Sequence, residues 1–281
     1  MRQPLRSTAK FRGLILATLL LLSACVSAHA QATVALDANS GSESKSGSSL
    51  TWTHTLGSNP TNAVLLVIVS LNGNYRVSSV SWGGTNPTFS CVYALGVDGS
   101  GNQQGNCSGT GSNPARRVEI WGAVLGSPAA NTSGTVTVAL SGSTQTMSGS
   151  ASFSGVAQTS TFGIAQGTAG TSGTSTLTLS GLSATGVVVD DIAISTSQPA
   201  TPDASQTLLW KAANGSSVYG AASYKGGATS ITMKQTMTSG SHWAYAAVPI
   251  NPAPRPVRRA QVVIGRLEPL KNNDSTGRAG E

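Results

Sequence analysis

Between residues 31 and 250 the side chains alternate in size and polarity with a period of two. Leu50-Thr51-Trp52-Thr53-His54 sets large residues against threonines, and Thr135-Val136-Thr137-Val138-Ala139-Leu140 repeats the pattern. So do Thr176-Leu177-Thr178-Leu179 and Ile231-Thr232-Met233-Lys234-Gln235. Successive side chains of an extended chain point to opposite faces, so these segments read as strands with one face buried and one in water. Two runs break the alternation. Ala63-Val64-Leu65-Leu66-Val67-Ile68-Val69 and Gly186-Val187-Val188-Val189 are apolar throughout, which marks central strands covered from both sides.

Further strands are expected over 76–82, 88–95, 116–124, 151–156, 207–211, 217–225 and 242–250. Turn signals separate them: Asn72-Gly73-Asn74, Gly83-Gly84-Thr85-Asn86-Pro87, Ser141-Gly142, Asn214-Gly215 and Lys225-Gly226-Gly227. The Ser/Gly-rich stretch 39–49 reads as a loop. No segment past residue 30 keeps a helical apolar period. The expected fold is all-β: a single β-sandwich or jelly-roll-like domain over residues 31–250. A division near 142–150 into two smaller sandwiches is the alternative, but no Pro-rich linker lies there.

The ends have a different character. Arg2, Arg6, Lys10 and Arg12 precede the apolar run Leu14 to Leu22, so residues 1–30 read as a signal peptide. Two cleavage sites compete. Ala28-His29-Ala30 suits the peptidase of soluble exported proteins, whereas Leu22-Ser23-Ala24-Cys25 has the form of a lipobox, with Cys25 as the lipidated residue. The protein is expected outside the cytoplasm, secreted or held at the cell envelope. No later stretch is apolar enough for a membrane span. After residue 250, Asn251-Pro252-Ala253-Pro254-Arg255-Pro256 breaks any strand. Residues 251–281 read as a Pro-rich, basic, disordered tail.

The formal net charge of +7 belongs to those ends. Residues 31–250 hold seven acidic and seven basic side chains. A neutral body lacks the positive footprint by which proteins bind nucleic acid, so no nucleic-acid partner is expected. Only Cys91 and Cys107 follow the signal segment, and an even pair in an oxidising compartment reads as a disulfide.

In chain order, the strand patterns include Asn62 to Ser70, Val77 to Gly84, Val118-Glu119-Ile120-Trp121, Gly134 to Val138 and Ser152-Phe153-Ser154-Gly155-Val156. Val187-Val188-Val189-Asp190 and a closing strand from Trp243 to Pro252-Ala253 complete the series. The order resembles a β-sandwich domain that recurs in uncharacterised secreted bacterial surface proteins. That resemblance implies fold and export. It carries no catalytic motif.

Asp190-Asp191 is the oddest pair, because carboxylates are rare in buried strands. Alternation turns Asp190 toward the face of Val188 and Ile192, and Asp191 toward that of Val187 and Val189. A structural role, with a turn or an arginine such as Arg76, Arg116 or Arg117 as partner, competes with a calcium site. Asp98-Gly99-Ser100-Gly101-Asn102 echoes a calcium loop but lacks the closing glutamate. No other cofactor is expected. Aromatic side chains can stack on sugar rings; Tyr75, beside Asn72-Gly73-Asn74, and Trp210 and Tyr219, flanking Asn214-Gly215, are the candidate ligand-binding residues. His54 and His242 sit in no metal or nucleophile motif.

The leading expectation is an exported, non-enzymatic binding or adhesion module acting at the cell envelope or on extracellular glycan. A structural subunit of a surface assembly is the alternative. A polysaccharide hydrolase would need two carboxylates facing each other across a cleft, with Glu119 and Asp190 or Asp191 as the suppliers.

Overall fold

The alternating segments become sixteen antiparallel strands in the computed structural model, which describes residues 32–41, 43–109, 114–171, 173–195, 199–215, 218–238 and 241–254. They are β1 (Ala35–Asn39), β2 (Glu43–Thr55), β3 (Ala63–Asn72), β4 (Val77–Trp82), β5 (Ser90–Asp98), β6 (Gln103–Gln104), β7 (Pro114–Gly126) and β8 (Ser133–Ser154). There follow β9 (Gln166–Gly170), β10 (Thr174–Ser180), β11 (Val187–Ile194), β12 (Ala200–Pro202), β13 (Thr207–Asn214), β14 (Val218–Gly226), β15 (Ser230–Met237) and β16 (Trp243–Ile250). Among the described residues no helix is long and apolar enough to cross a membrane. The signal segment with Cys25, and the tail from residue 255 onward, lie outside the described residues.

The strands stack in four layers. One inner sheet runs β1-β8-β3-β7-β5-β6, and the second runs β13-β14-β11-β16-β9. Between them Val64, Leu66, Ile68, Val118 and Ile120 meet Val187, Val189, Trp210, Ala244 and Val248. The sheet β10-β15-β12 covers the far side of the second, packing Leu179, Ile231 and Met233 on Val188, Ile192 and Tyr245. On the opposite side the chain covers itself. The first half of β8 pairs with β4 and the second half with β3, while β2 follows β8 along both. β8 thereby carries a flap back over the outer face of β3, burying Leu65, Val67 and Val69 under Leu50, Trp52, Trp82 and Val138. Two layers, occasionally three, are the usual arrangement; the sandwich expected from the sequence forms the middle of a thicker stack.

Both runs read as doubly covered are so. Ala63 to Leu71 in β3 and all of β11 are buried. Three expectations need correction. Residues 43–49 are strand rather than loop, because β2 pairs with β8 from Glu43 onward. Ser141-Gly142 is not a turn: β8 runs unbroken through it, and through the stretch where a division into two units was considered. The tail begins later than residue 251. Pro252 bridges Val156 and Ala253 N–H donates to Gly155 C=O, so both residues belong to the body.

The chain enters and leaves at one end. Val34 N–H donates to Thr185 C=O, and Gly155, which accepts from Ala253, also lies against Thr33. Elsewhere, Cys91 and Cys107 form the expected disulfide, tying β5 to the loop beyond β6. Closing a loop of this length restricts the unfolded chain by about 3 kcal/mol. Urea unfolding of a Cys91→Ser/Cys107→Ser variant is expected to show a loss of about that size; an unchanged midpoint would mean that the loop contributes nothing to the fold.

Candidate functional site

Asp190 sits at the centre of β11 with no exposure to water, facing the layer formed by β10, β15 and β12. An ionised carboxylate there must be solvated by protein donors. Five groups supply them. Ser223 donates its backbone N–H (2.7 Å) and its Oγ–H (2.6 Å) to Oδ1. Oδ2 accepts from Tyr245 OH (2.6 Å), Gln206 Nε2 (3.0 Å) and Gln235 Nε2 (3.2 Å). Burial pushes the Asp190 carboxyl up to about 6, and the bonds from Ser223, Tyr245 and Gln235 pull the other way. Burial and the adjacent Asp190 charge raise the Tyr245 hydroxyl well above its ordinary range, so it remains a donor.

Gln206 locks the cluster from the turn before β13. Its Oε1 accepts the Lys234 N–H at 2.7 Å, and its Nε2 donates to Ser223 Oγ at 2.7 Å. The amide is thus oriented by bonds at both ends. The shell around Asp190 consists of N–H and O–H groups aimed at the carboxylate. A cation would meet their positive ends, so the arrangement opposes calcium. Neither Asp190 nor Asp191 pairs with an arginine, which corrects that expectation. Arg117 binds Glu119, Arg116 contacts Asn72 and Ala115, and Arg76 donates to Ser108 C=O.

Asp191 faces the other way, into the core between the two inner sheets. Its Oδ1 accepts from Ser70 Oγ at 2.9 Å, and its Oδ2 has no hydrogen-bond partner among the described residues. Burial raises this carboxyl well above the ordinary range, with the Asp190 charge adding to it. Space for the contact comes from Gly220, where a Cβ would fall 2.6 Å from Ser70 Oγ. Trp210 fills the neighbouring volume and lies against Gly149. Trp210 and Tyr219 are therefore not ligand platforms: they are 3% and 5% exposed, with their rings in two different cores. Tyr75 is half-buried, its ring resting against Gly142.

The flap holds a second polar cluster. His54 is buried; its Nδ1 lies 3.0 Å from Ser150 Oγ and its Nε2 3.3 Å from Ser152 Oγ. Ser152 donates to Asp37 Oδ2 at 2.8 Å, which also accepts the Gly57 N–H. One proton ordering satisfies the chain: Ser150 donates to Nδ1, Nε2–H donates to Ser152, and Ser152 donates to Asp37. Histidine, serine and aspartate meet here, but the serine stands between the other two. A nucleophilic triad requires the histidine between them. Burial pushes the imidazole down to about 4, against the pull of Asp37.

Glu119 is buried as well. It accepts Arg117 Nε at 2.6 Å and Trp121 Nε1 at 2.9 Å on the flap side of β7, across that sheet from Asp191. The carboxylate pair required for sugar hydrolysis does not assemble. Asp98, partly exposed, folds its own loop: it accepts from the Ser100 and Asn102 backbone and from the Asn102 and Gln104 side chains. Those bonds, led by the Asn102 backbone, hold its carboxyl below the ordinary range. Among the described residues no group of three or more His, Cys, Asp or Glu side chains could hold a metal ion.

Sequence reasoning found Asp190 and its direction but missed Ser223, Gln206, Gln235 and Tyr245. Each lies on a different segment, and only strand register brings them together. Compared with protein-family models, curated proteins and solved structures, the chain finds no match.

These buried groups set the pH dependence of folding. The Asp190 carboxyl rises on folding, so its contribution is complete below pH 3.8 and about 3 kcal/mol of it is lost as pH climbs to about 6. The His54 imidazole falls from 6.5 to about 4, so its contribution of about 3 kcal/mol is present above pH 6.5 and lost on acidification. Asp191 has the sign of Asp190. In denaturant titrations from pH 4 upward, Asp191→Asn is expected to lose less stability with rising pH than the wild type, because its side chain cannot ionise. The same pH dependence in both would remove Asp191 as a contributor.

Proposed function

We propose that the protein is exported and serves as a non-catalytic structural β-module of the cell envelope. The observation that carries this reading is the fate of the ionisable side chains. Asp190, Asp191, Glu119, Arg117 and His54 are all buried, and none of them lines the cavities of about 420 and 320 Å³ beside Val187 and beside Leu179. Catalysis needs such groups poised at an accessible surface. Here they serve packing and hydrogen bonding.

The outer faces agree with a structural task. Threonine and serine ladders cover both: Thr51, Thr53 and Thr55 stand opposite Thr137, Thr135 and Ser133 on the flap. On the other side Thr178 meets Thr232 and Ser180 meets Ser230, each pair within hydrogen-bond distance. Uncharged hydroxyl faces are wet and β-compatible. Glycan recognition by aromatic stacking is less favoured, because Trp210 and Tyr219 are enclosed.

Export is supported by the disulfide, which oxidising compartments sustain, and by the basic-then-apolar leader.

The test is to express the full chain in a bacterium, fractionate the cells and weigh the mature protein. The expected product lies in the envelope or medium and begins at Gln31 or at a lipid-modified Cys25. Full-length protein confined to the cytoplasm would overturn export. Selective binding to one class of polysaccharide on a glycan array would replace the structural reading with a binding one.

A further inference from the structure

The edge of the sandwich has a notch, and the chain leaves the body beside it. Among the described residues β1, the first strand of its sheet, pairs on one side only, with β8. In the facing sheet β13 pairs with β14 no further than Thr207 opposite Tyr224, whereas β14 runs on to Gly226, opposite Val187. The two edges lie over each other, since Asn39 Nδ2 donates across them to Leu209 C=O. Between them is the cavity of about 420 Å³, with Val34, Leu36, Val187 and Tyr224 in its wall. All four belong to the core between the inner sheets or pack against it, so the cavity opens onto that core.

The last residues of the body lie at its rim. Pro252 Cδ is 3.5 Å from where a Cβ on Gly186, another wall residue, would stand. Ala253 N–H donates to Gly155 C=O, and a Cβ on Gly155 would fall 2.5 Å from the carbonyl oxygen of Thr33, also in the wall. Beyond Pro254, outside the described residues, the longest apolar run in the sequence is Val262-Val263-Ile264, between Arg259 and Arg266.

We propose that Val262-Val263-Ile264 docks in this cavity of its own molecule, as an extended segment laid along the free edge of β1. Side chains of such a segment alternate, so Val262 and Ile264 enter the cavity and Val263 faces the other way. Seven residues, 255–261, separate Pro254 from Val262, a tether of at most about 23 Å. That exceeds the length of the five-residue β1, which is about 17 Å. A tether this short also holds the segment at a high effective concentration. β-branched residues suit a strand position, and a bare edge offers unpaired N–H and C=O groups to an added strand. Arg259 and Arg266 flank the run and stay in water. The cavity of about 320 Å³ beside Leu179 is within reach as well, but it is smaller and carries the amides of Gln166 and Asn251 in its wall. The inference goes beyond the structural reading above and does not depend on export.

The test is trypsin digestion of the full chain under native conditions, compared with a Val262→Asp/Ile264→Asp variant, whose changes lie outside the body. Cleavage after Arg259 and Arg266 is expected to be about tenfold slower in the wild type, because it follows the undocked fraction. Cleavage after Lys271 and Arg278 should be the same in both. Hydrogen exchange should show the amides of Thr33–Leu36 and Tyr224–Gly227 opening faster in the variant, and Val263→Thr should behave as the wild type. Equal cleavage after Arg259 and Arg266 in wild type and double variant overturns the docking. An exchange difference at Leu179–Leu182 instead overturns the choice of cavity. Protection that grows with protein concentration overturns the intramolecular contact, because the segment then comes from a second copy.

Discussion

Covering both faces of two sheets is the constraint from which the rest of this protein follows. Once β3 and β11 have no side on water, every polar group they carry must be satisfied by another strand. In a two-layer sandwich Asp190 would look outward and be solvated. The sheet β10-β15-β12 closes over it, and Ser223, Gln206, Gln235 and Tyr245 take the place of water.

The same logic repeats in each interface with different chemistry. Between the flap and the inner sheet, a chain of hydroxyls links a neutral His54 to Asp37, and Arg117 neutralises Glu119. Between the inner sheets Asp191 has only Ser70, and burial raises its carboxyl well above the ordinary range. Buried polar groups are costly unless they are paired, and fully paired networks specify register. A one-residue slip of β14 against β11 would move Ser223 to the opposite face and strip Asp190 of two donors. The Asp190 cluster therefore identifies the correct pairing of four segments at once.

The surface presents the complementary picture. With acids and bases few and equal in number, the body shows water mainly hydroxyl-bearing strands. Such a surface has little long-range field with which to steer a charged partner. Among the described residues the exposed large apolar side chains are Val124, Ile164 and Leu208. A module of this kind gains its value from persistence and spacing, which is consistent with a structural place at the envelope.

Much of the architecture was legible in the sequence, because strand periodicity and turn residues are local. Alternation at 50–54, 135–140, 176–179 and 231–235, and the apolar runs at 63–69 and 187–189, indicated the strands and which of them are covered twice. The number of layers was not legible. Whether a Ser/Gly stretch such as 43–49 is loop or strand depends on a partner a hundred residues away, and β8 continues through Ser141-Gly142 although β2 pairs only with residues on either side of them. Side-chain direction followed from alternation, so the opposed carboxylates of Asp190 and Asp191 could be read from the sequence. Their partners could not, since register between distant strands decides which serine or glutamine stands opposite, and propensity does not encode register. Local sequence thus determined the strands and the neutral chemistry of the body; only the tertiary stack decided which polar groups would lose water and what would replace it.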